Sequence, residues 1–319
     1  MYNWKTVLLT LGVLVGLKIW SPYLIDNIKW SYFDVLHQQK ESQHIDNIVL
    51  VDIDEKSLDK YGQYPWPRNI YSDIMLENHH TNTHVFTQVF NQPDRFGGDV
   101  EFATGLVNRL SILSAAPTSQ KDTGSAPYVR TSVFGGGNIG DVIWDFSGMS
   151  APIKLLQDNT YGVGVTVTTP PLPDTPNFDG TVRSAPLIVS ANDQIYPSVA
   201  LETLRAFYDQ PNYQTRVTPE VGIEWIRMGR QPPIQTTSTS DVMITYWNDF
   251  DRISASDLTE KTLHGHDGIS NKILIWGMTA EGFNNPVSTP KGVMYPHEVQ
   301  ANLLQTVISG ETVSYTHIR

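Results

Sequence analysis

The sequence contains no cysteine, which excludes disulfide scaffolds, zinc–thiolate sites, iron–sulfur clusters and thiol catalysis. Charge is sparse as well: Asp, Glu, Lys and Arg make up 17% of the 319 residues, against about a quarter in an ordinary soluble domain. The 22 Lys and Arg face 33 Asp and Glu, a net charge of −11, and no basic run occurs anywhere. With nothing to neutralise a phosphate backbone, nucleic acid is excluded as a partner. Internal repeats and low-complexity tracts are missing too. The residues that are present can build a core. Apolar residues reach 40%, with 23 Gly besides, so the chain is globular rather than disordered, and its length suits one large α/β domain or two small ones.

The first residues carry the longest apolar run. Thr6 to Leu17 is uncharged, and with its flanks the run covers nineteen positions, about 28 Å of helix against a hydrocarbon core of about 30 Å. Lys5 and Lys18 sit near its ends and Trp4 and Trp20 bracket it, the arrangement of an interfacial belt. No small-x-small cleavage site comes after it, and the first Ala is Ala103. Residues 1–21 are therefore expected to be an uncleaved transmembrane signal anchor that exports the remainder of the chain. Ser21-Pro22 then reads as N-cap and N1 of a helix, whose apolar positions Leu24, Ile25, Ile28, Phe33 and Leu36 recur at helical spacing. This makes 22–45 a helical linker.

From Ile48 the pattern alternates. Ile48 to Ile53 is a near-continuous β-branched run of the kind buried on both faces of a parallel sheet. A turn at Tyr64-Pro-Trp-Pro-Arg68 opens a helix through Ile74 and Met75; His84 to Phe90 is strand-like, Asp99 to Leu110 helical and Ser111 to Ala115 a short strand. Residues 116–160 are turn-rich and are expected to form a loop or lid. Further strands are expected at Gly162 to Thr168, Val182 to Val189, Val221 to Met228, Val242 to Tyr246 and Lys272 to Trp276. Helices are expected at Ser198 to Tyr208 and Pro296 to Ser309, the last stopped by Gly310. The fold class is α/β, a mostly parallel central sheet flanked by helices and preceded by the anchor helix.

Several local patterns imitate catalytic motifs. Gly135 to Gly140 satisfies G-x-G-x-x-G, but the residues after it are poor helix formers, so a glycine loop is the better reading. Asp52-Ile53-Asp54 after a hydrophobic strand resembles the first motif of haloacid-dehalogenase-type phosphatases, which would make Asp52 a nucleophile and Asp54 a general acid with Mg²⁺. Asp141 and Asp145 imitate that family's magnesium motif, whereas Lys56 stands where it has Thr or Val. The plainer alternative is that both carboxylates end a strand and cap the next turn. The nine His are scattered. His79-His80 with His84, and His264-x-His266, are read as surface groups, and neither cluster places two ligands on one helix face with a third in register. No metal or other cofactor is expected.

A broader likeness covers about residues 45–310. It begins with Val51-Asp52-Ile53-Asp54-Glu55-Lys56-Ser57-Leu58 and Gly62-Gln-Tyr-Pro65-Trp66-Pro67-Arg68, and continues through Phe90 to Arg95, Gly98-Asp99 and Phe178-Asp179-Gly180-Thr181-Val182-Arg183. It ends with Tyr196 to Glu202, Lys272 to Gly277, Thr289-Pro290 and Val299 to Leu304. In this order the blocks resemble the second class of CHASE domains, extracytoplasmic sensor modules of bacterial receptors; Gln88 departs from them, standing where that class has an Asp. The resemblance implies a non-catalytic sensory domain spanning 46–310, held outside the cytoplasmic (inner) membrane. Its partners would be a small-molecule or protein signal, the membrane and a second copy of the chain. Members continue into membrane helices and an output such as a nucleotide cyclase or histidine kinase. The end at Arg319, after a polar tail over 311–319, therefore reads as a truncation of a longer receptor.

The signature residues read first as structural. Pro65, Trp66 and Pro67 lock a turn, Arg68 is expected to pair with Asp52 or Asp54, Asp99 starts a helix, and Asp179-Gly180 is a hairpin turn ahead of Arg183. Ligands of open α/β sheets bind outside the carboxyl ends of the strands. Asp52, Asp54, Arg68, Asp94, Arg95 and Thr279 are thus expected around one crevice, with Gly135 to Gly140 as cover.

Overall fold

The β-branched run at Ile48 becomes a strand buried on both faces, and the rest of the chain is arranged around it. A computed structural model describes residues 3–20, 22–77, 82–120, 131–173, 175–258 and 271–310. The elements begin with helices α1 (Trp4–Trp20) and α2 (Pro22–Gln39), strand β1 (Gln43–Ile53), α3 (Glu55–Tyr61), α4 (Arg68–Leu76), β2 (Thr83–Phe86), α5 (Asp99–Val107), β3 (Leu110–Thr118) and β4 (Thr131–Phe134). Next come β5 (Asp145–Phe146), β6 (Gly148–Ser150), α6 (Lys154–Gln157), β7 (Gly162–Val165), β8 (Ser184–Pro186), β9 (Ile188–Ala191), β10 (Gln194–Pro197) and α7 (Val199–Phe207). The chain continues through β11 (Tyr213–Thr218), β12 (Gly222–Met228), β13 (Ile234–Gln235), β14 (Asp241–Met243), β15 (Asn248–Ser254), β16 (Ile273–Met278), β17 (Val287–Thr289), β18 (Gly292–Met294) and α8 (Pro296–Ser309).

Six strands lie parallel in the spatial order β15, β1, β16, β2, β3, β7, and β6 joins β3 antiparallel. The α/β class and the mostly parallel sheet expected from the sequence are therefore present. A mixed sheet of β13, β12, β11 and β4 lies apart from it, with short pairings of β10, β9 and β5, of β14 with β8, and of β17 with β18. Because side chains alternate along a strand, β1 feeds two cores. Val49, Val51 and Ile53 join Trp66, Tyr71, Phe86, Phe102 and Trp276 beneath α4 and α5. Ile48 and Leu50 join Leu201, Leu204, Val299 and Leu303 of α7 and α8. Aromatic rings fill the first core, with Phe86 and Trp276 stacked at 5.1 Å.

Several expectations are corrected. The first helix forms over 17 residues, about 26 Å, but among the described residues no helix is long and apolar enough to cross a membrane. Lys5 and Lys18 confine its uncharged stretch to Thr6 through Leu17. The helix read as the linker, α2, forms and is docked on the domain: Trp30 and His37 are buried, and the His37 ring lies 4.1 Å from Phe33 and 5.2 Å from Trp247. β1 begins at Gln43, inside the stretch read as linker. The turn-rich stretch read as a lid contains the end of β3 with β4, β5, β6 and α6, short strands that carry little periodicity. His84 is buried in the core, where its Nδ1 accepts from Trp276 Nε1 at 3.2 Å and burial pushes its pKa down to about 3. His79-His80, His264-x-His266, Ser21 and the tail over 311–319 lie outside the described residues.

Candidate functional site

At the carboxyl end of the sheet, the segments after β1 and β16 meet. The strands are in register through Ile53 and Met278, and Thr279 N donates to the Ile53 carbonyl at 3.0 Å. Asp54 and Thr279 are thus on the same end, as the parallel reading required. Asp54 caps α3: its Oδ1 accepts from Ser57 N at 2.9 Å, from Ser57 Oγ at 2.7 Å and from Ser254 Oγ at 2.8 Å.

Asp52 lies on the same face of β1 as Ile48 and Leu50, the face covered by α8. Arg252 of β15 grips it with two bonds of 2.9 Å, and His297 Nε2 lies 2.9 Å from Oδ1. Arg252 also donates to Glu298, which in turn accepts from Tyr295 N at 2.6 Å and completes the capping box of α8. Burial acts to raise the Asp52 carboxyl, but the bonds from His297 and Arg252 outweigh it and hold it below the usual carboxylate value. The His297 ring stands over Gly277, the cross-strand neighbour of Asp52, where a Cβ would come within 2.0 Å of Nδ1.

Arg68 sits on the other face. It begins α4, is buried, donates to Asp99 and to the Gln92 carbonyl, and lies 5.2 Å from the Phe90 ring centre. Asp94 ties this knot: it accepts from Arg68 N and Gly98 N at 2.9 Å and from Phe96 N at 3.0 Å. Burial opposes ionisation here too, yet the three N–H donors keep its carboxyl below the usual value. A Cβ on Gly98 would lie 2.5 Å from Asn69 N, so only glycine lets the loop close on α4. Trp66, buried, donates from Nε1 to the Gly62 carbonyl at 2.7 Å, and the Tyr64–Pro65 bond before it is cis. Pro67 takes the N-cap position of α4.

The expected pairing of Arg68 with Asp52 or Asp54 is therefore wrong, and so is the single crevice shared by Asp52, Arg68 and Thr279. Residue 52 points to the α8 side by strand alternation, whereas α4 covers the opposite side. Arg95 is exposed on the loop beside this knot, its guanidinium 4.8 Å from the Phe96 ring centre. Gly135 to Gly140 is no cover for these groups: Gly137 N donates to the Val217 carbonyl at 3.1 Å, and a Cβ on Gly135 would lie 2.4 Å from that oxygen.

The most elaborate polar centre belongs to Arg183, whose side chain is almost fully buried. Nε and Nη2 grip Asp34 of α2 at 2.9 and 2.7 Å, Nη1 and Nη2 grip Asp179 at 2.8 and 2.9 Å, and Nη1 also donates to the Pro176 carbonyl at 2.7 Å. All five guanidinium N–H groups are thereby used. The bonds from Arg183, with a smaller contribution from Thr181 N, push the Asp179 carboxyl down to about 2. Asp179-Gly180 is a turn, with Gly180 at φ 82°, but no described strand runs directly into it, so it is not a hairpin.

Sequence reasoning passed over Arg252, His297, Glu298 and Asp34. The helix-start pattern of Pro296 followed by Glu298 was the available signal, since it places His297 in a first turn beside strand ends. Arg252 and Asp34 offered none, because their partners are 200 and 149 residues away. Neither carboxylate of the imagined phosphatase pair is left free: Asp52 is bound by Arg252 and His297, Asp54 by Ser57 and Ser254, and Lys56 pairs with Asp257 at 2.5 Å. Asp145 lies on β5, in a different sheet. Nothing supports the phosphatase reading.

The chain is thus a parallel α/β domain with its polar centres closed by internal ion pairs and with an N-terminal helix clamped to it. The family model of the CHASE2 domain matches residues 7–318, and the chain belongs to that family, a sensory domain family of receptors. No curated protein and no solved structure matches the chain.

Proposed function

We propose that this chain is the sensory input module of a bacterial membrane receptor, non-catalytic in itself, with its α/β domain outside the cytoplasmic membrane and α1 as its contact with the bilayer. Its output, such as a nucleotide cyclase or histidine kinase, would lie on the rest of the receptor. The observation that carries this reading is the Arg183 clamp. It joins Asp34 on α2 to Asp179 in the domain, so a rearrangement around residues 176–183 moves the helix that leads back to α1. A signal then acts by favouring one arrangement of the clamp, as a population shift. Membrane contact is supported by α1 itself, which exposes Trp4, Val7, Leu8, Leu9, Leu11, Val13 and Val15. Such a continuous apolar surface marks a lipid or protein contact.

A reporter fused after Gly310 tests this reading. It is expected to report an exported location, and the protein is expected to sediment with the membrane fraction. A cytoplasmic reporter, or a protein found wholly in the soluble fraction, would refute the assignment.

A further inference from the structure

The Arg183 clamp continues inward as a chain of hydrogen bonds that ends on a buried carboxylate. Asp241 of β14 is 4% exposed, and every group that donates to its carboxylate is neutral. Trp144 Nε1 lies 3.1 Å from Oδ1 and 3.0 Å from Oδ2, Thr169 Oγ1 donates to Oδ1 at 2.6 Å, and the hydroxyls of Thr237 and Thr239 donate to Oδ2. The surrounding elements bring it no compensating charge. Residues 166–173 and 236–240 contain no titratable side chain, and Asp174 lies outside the described residues. Asp141 and Asp145, on either side of Trp144, are exposed, as is Asp193 beyond β9. Glu224 of β12 pairs with Arg216, and Arg183, just ahead of β8, turns its guanidinium to Asp34 and Asp179. A carboxylate this far out of water and without a cation is costly, and a proton removes the cost.

From Asp241 the chain runs to α2 through buried groups. Thr169 Oγ1 accepts from Ser184 Oγ at 2.8 Å, and Ser184 Oγ stands 3.4 Å from Asn177 Oδ1. That amide oxygen accepts from Arg183 N at 2.8 Å and from Ser184 N at 3.0 Å, and Arg183 grips Asp34 of α2. We propose that the signal this module reads is the proton, with Asp241 as its acceptor and the hydroxyls of Thr169 and Ser184 as the link to the clamp on α2. This inference rests on the sensory reading above.

A proton on Oδ1 turns the carboxyl from acceptor to donor. Thr169 Oγ1 accepts it, the Thr169 hydrogen turns to Ser184 Oγ, and the Ser184 hydrogen turns to Asn177 Oδ1. One proton is gained, two hydroxyls reverse, and Trp144 keeps Oδ2 as its acceptor. The oxygen that holds Arg183 N thereby gains a third donor. Burial raises the Asp241 pKa, against the pull of its four donors. The protonated form therefore favours the arrangement that buries it, so α2 is held more firmly as the pH falls through this titration and is loosened as the pH rises. His37 on the docked face of α2 works in the opposite sense, since burial lowers its pKa; variants that all keep His37 separate the two.

Trp144 makes the titration visible. Tryptophan emission of the full chain in detergent, followed from about pH 8 to about pH 4, is expected to show a step above the ordinary carboxylate range, and Trp144→Phe is expected to remove it. Amide exchange of α2, corrected for the rate of an unstructured chain, is expected to slow through the same step. The slowing, measured against Asp241→Asn, should be about tenfold for each pH unit by which the step exceeds the ordinary carboxylate value. Thr169→Val takes a donor from the carboxylate and cuts the chain. Its emission step is expected at higher pH, while α2 exchange no longer follows it. The native protein and Thr169→Val decide the matter even if Asp241→Asn fails to fold. A flat emission profile, α2 protection indifferent to the step, or native coupling in Thr169→Val would overturn the proposal. Any of these in an exported, membrane-associated protein would leave the sensory reading standing, whereas a cytoplasmic domain would refute that reading whatever Asp241 does.

Discussion

Replacing Arg183 with Met removes a cation and keeps a similar length of side chain. Two carboxylates, Asp34 and Asp179, lose their partner, and the Pro176 carbonyl loses its donor. Breaking a buried ion pair from one side costs about 3–5 kcal/mol. Asp34 and Asp179 keep 20% and 38% of their side-chain surface, so water recovers part of the loss and the lower end, about 3 kcal/mol, applies. In a domain of this size that corresponds to a fall in Tm of about 6–12 °C. Urea unfolding followed by tryptophan fluorescence measures it, since Trp30 and Trp247 lie along the docked face of α2. Arg183→Lys, with three donors in place of five, should fall between the two proteins. A double-mutant cycle of Arg183→Met with Asp34→Asn should show a coupling of about 1–3 kcal/mol. A loss below about 1 kcal/mol in Arg183→Met, or strict additivity in the cycle, would refute the claim that this residue fastens α2 to the domain.

Two other outcomes are expected. Gly277→Ala would put a Cβ 2.0 Å from His297 Nδ1 and should cost about 3 kcal/mol by overpacking; thermal unfolding should show that adding His297→Ala restores part of it, and an unchanged Tm in the single variant would contradict the packing. Asp52 has its folded carboxyl held below the unfolded value, so its contribution is present above the unfolded carboxylate range and lost as the pH falls through the folded value. Between about pH 6 and about pH 3 the native Tm should therefore drop more steeply than that of Asp52→Asn, and parallel curves would argue against the pairing with Arg252 and His297.

The parts of this fold legible in the sequence were those set by local pattern. The β1 run, the helix from Pro296 to Ser309 with Gly310 at φ 68° behind it, and the helix of Val199–Phe207 all follow from periodicity and caps. The parallel direction of β1, β2 and β16 followed from their continuous hydrophobicity. β15 was missed because its sequence, NDFDRIS, is polar on an edge strand and owes its conformation to β1. β11 was missed for a similar reason, since its Gln, Thr and Arg positions gain their order from β12. The site was harder than the fold. Arg68 and Asp52 stand only sixteen positions apart in the chain, yet which face each occupies depends on strand alternation and on where α4 lands, and ion pairs bridging 149 and 200 residues leave no local trace.

The place of β15 at the rim of the sheet has a consequence for solubility. One side of this strand pairs with β1 and, among the described residues, the other ends the ladder, the position in a sheet at which an extended chain can add itself. Asp249 and Asp251 stand on it with 70% and 62% of their side chains in water, joined by His44 and Asp46 from β1. These charges add almost nothing to the stability of the folded domain. They repel an incoming strand that carries the same negative edge. With threonine at both positions the fold is expected to stand and the rim to pair with its own kind, which rising light scattering at an unchanged Tm would show and a clear solution would refute.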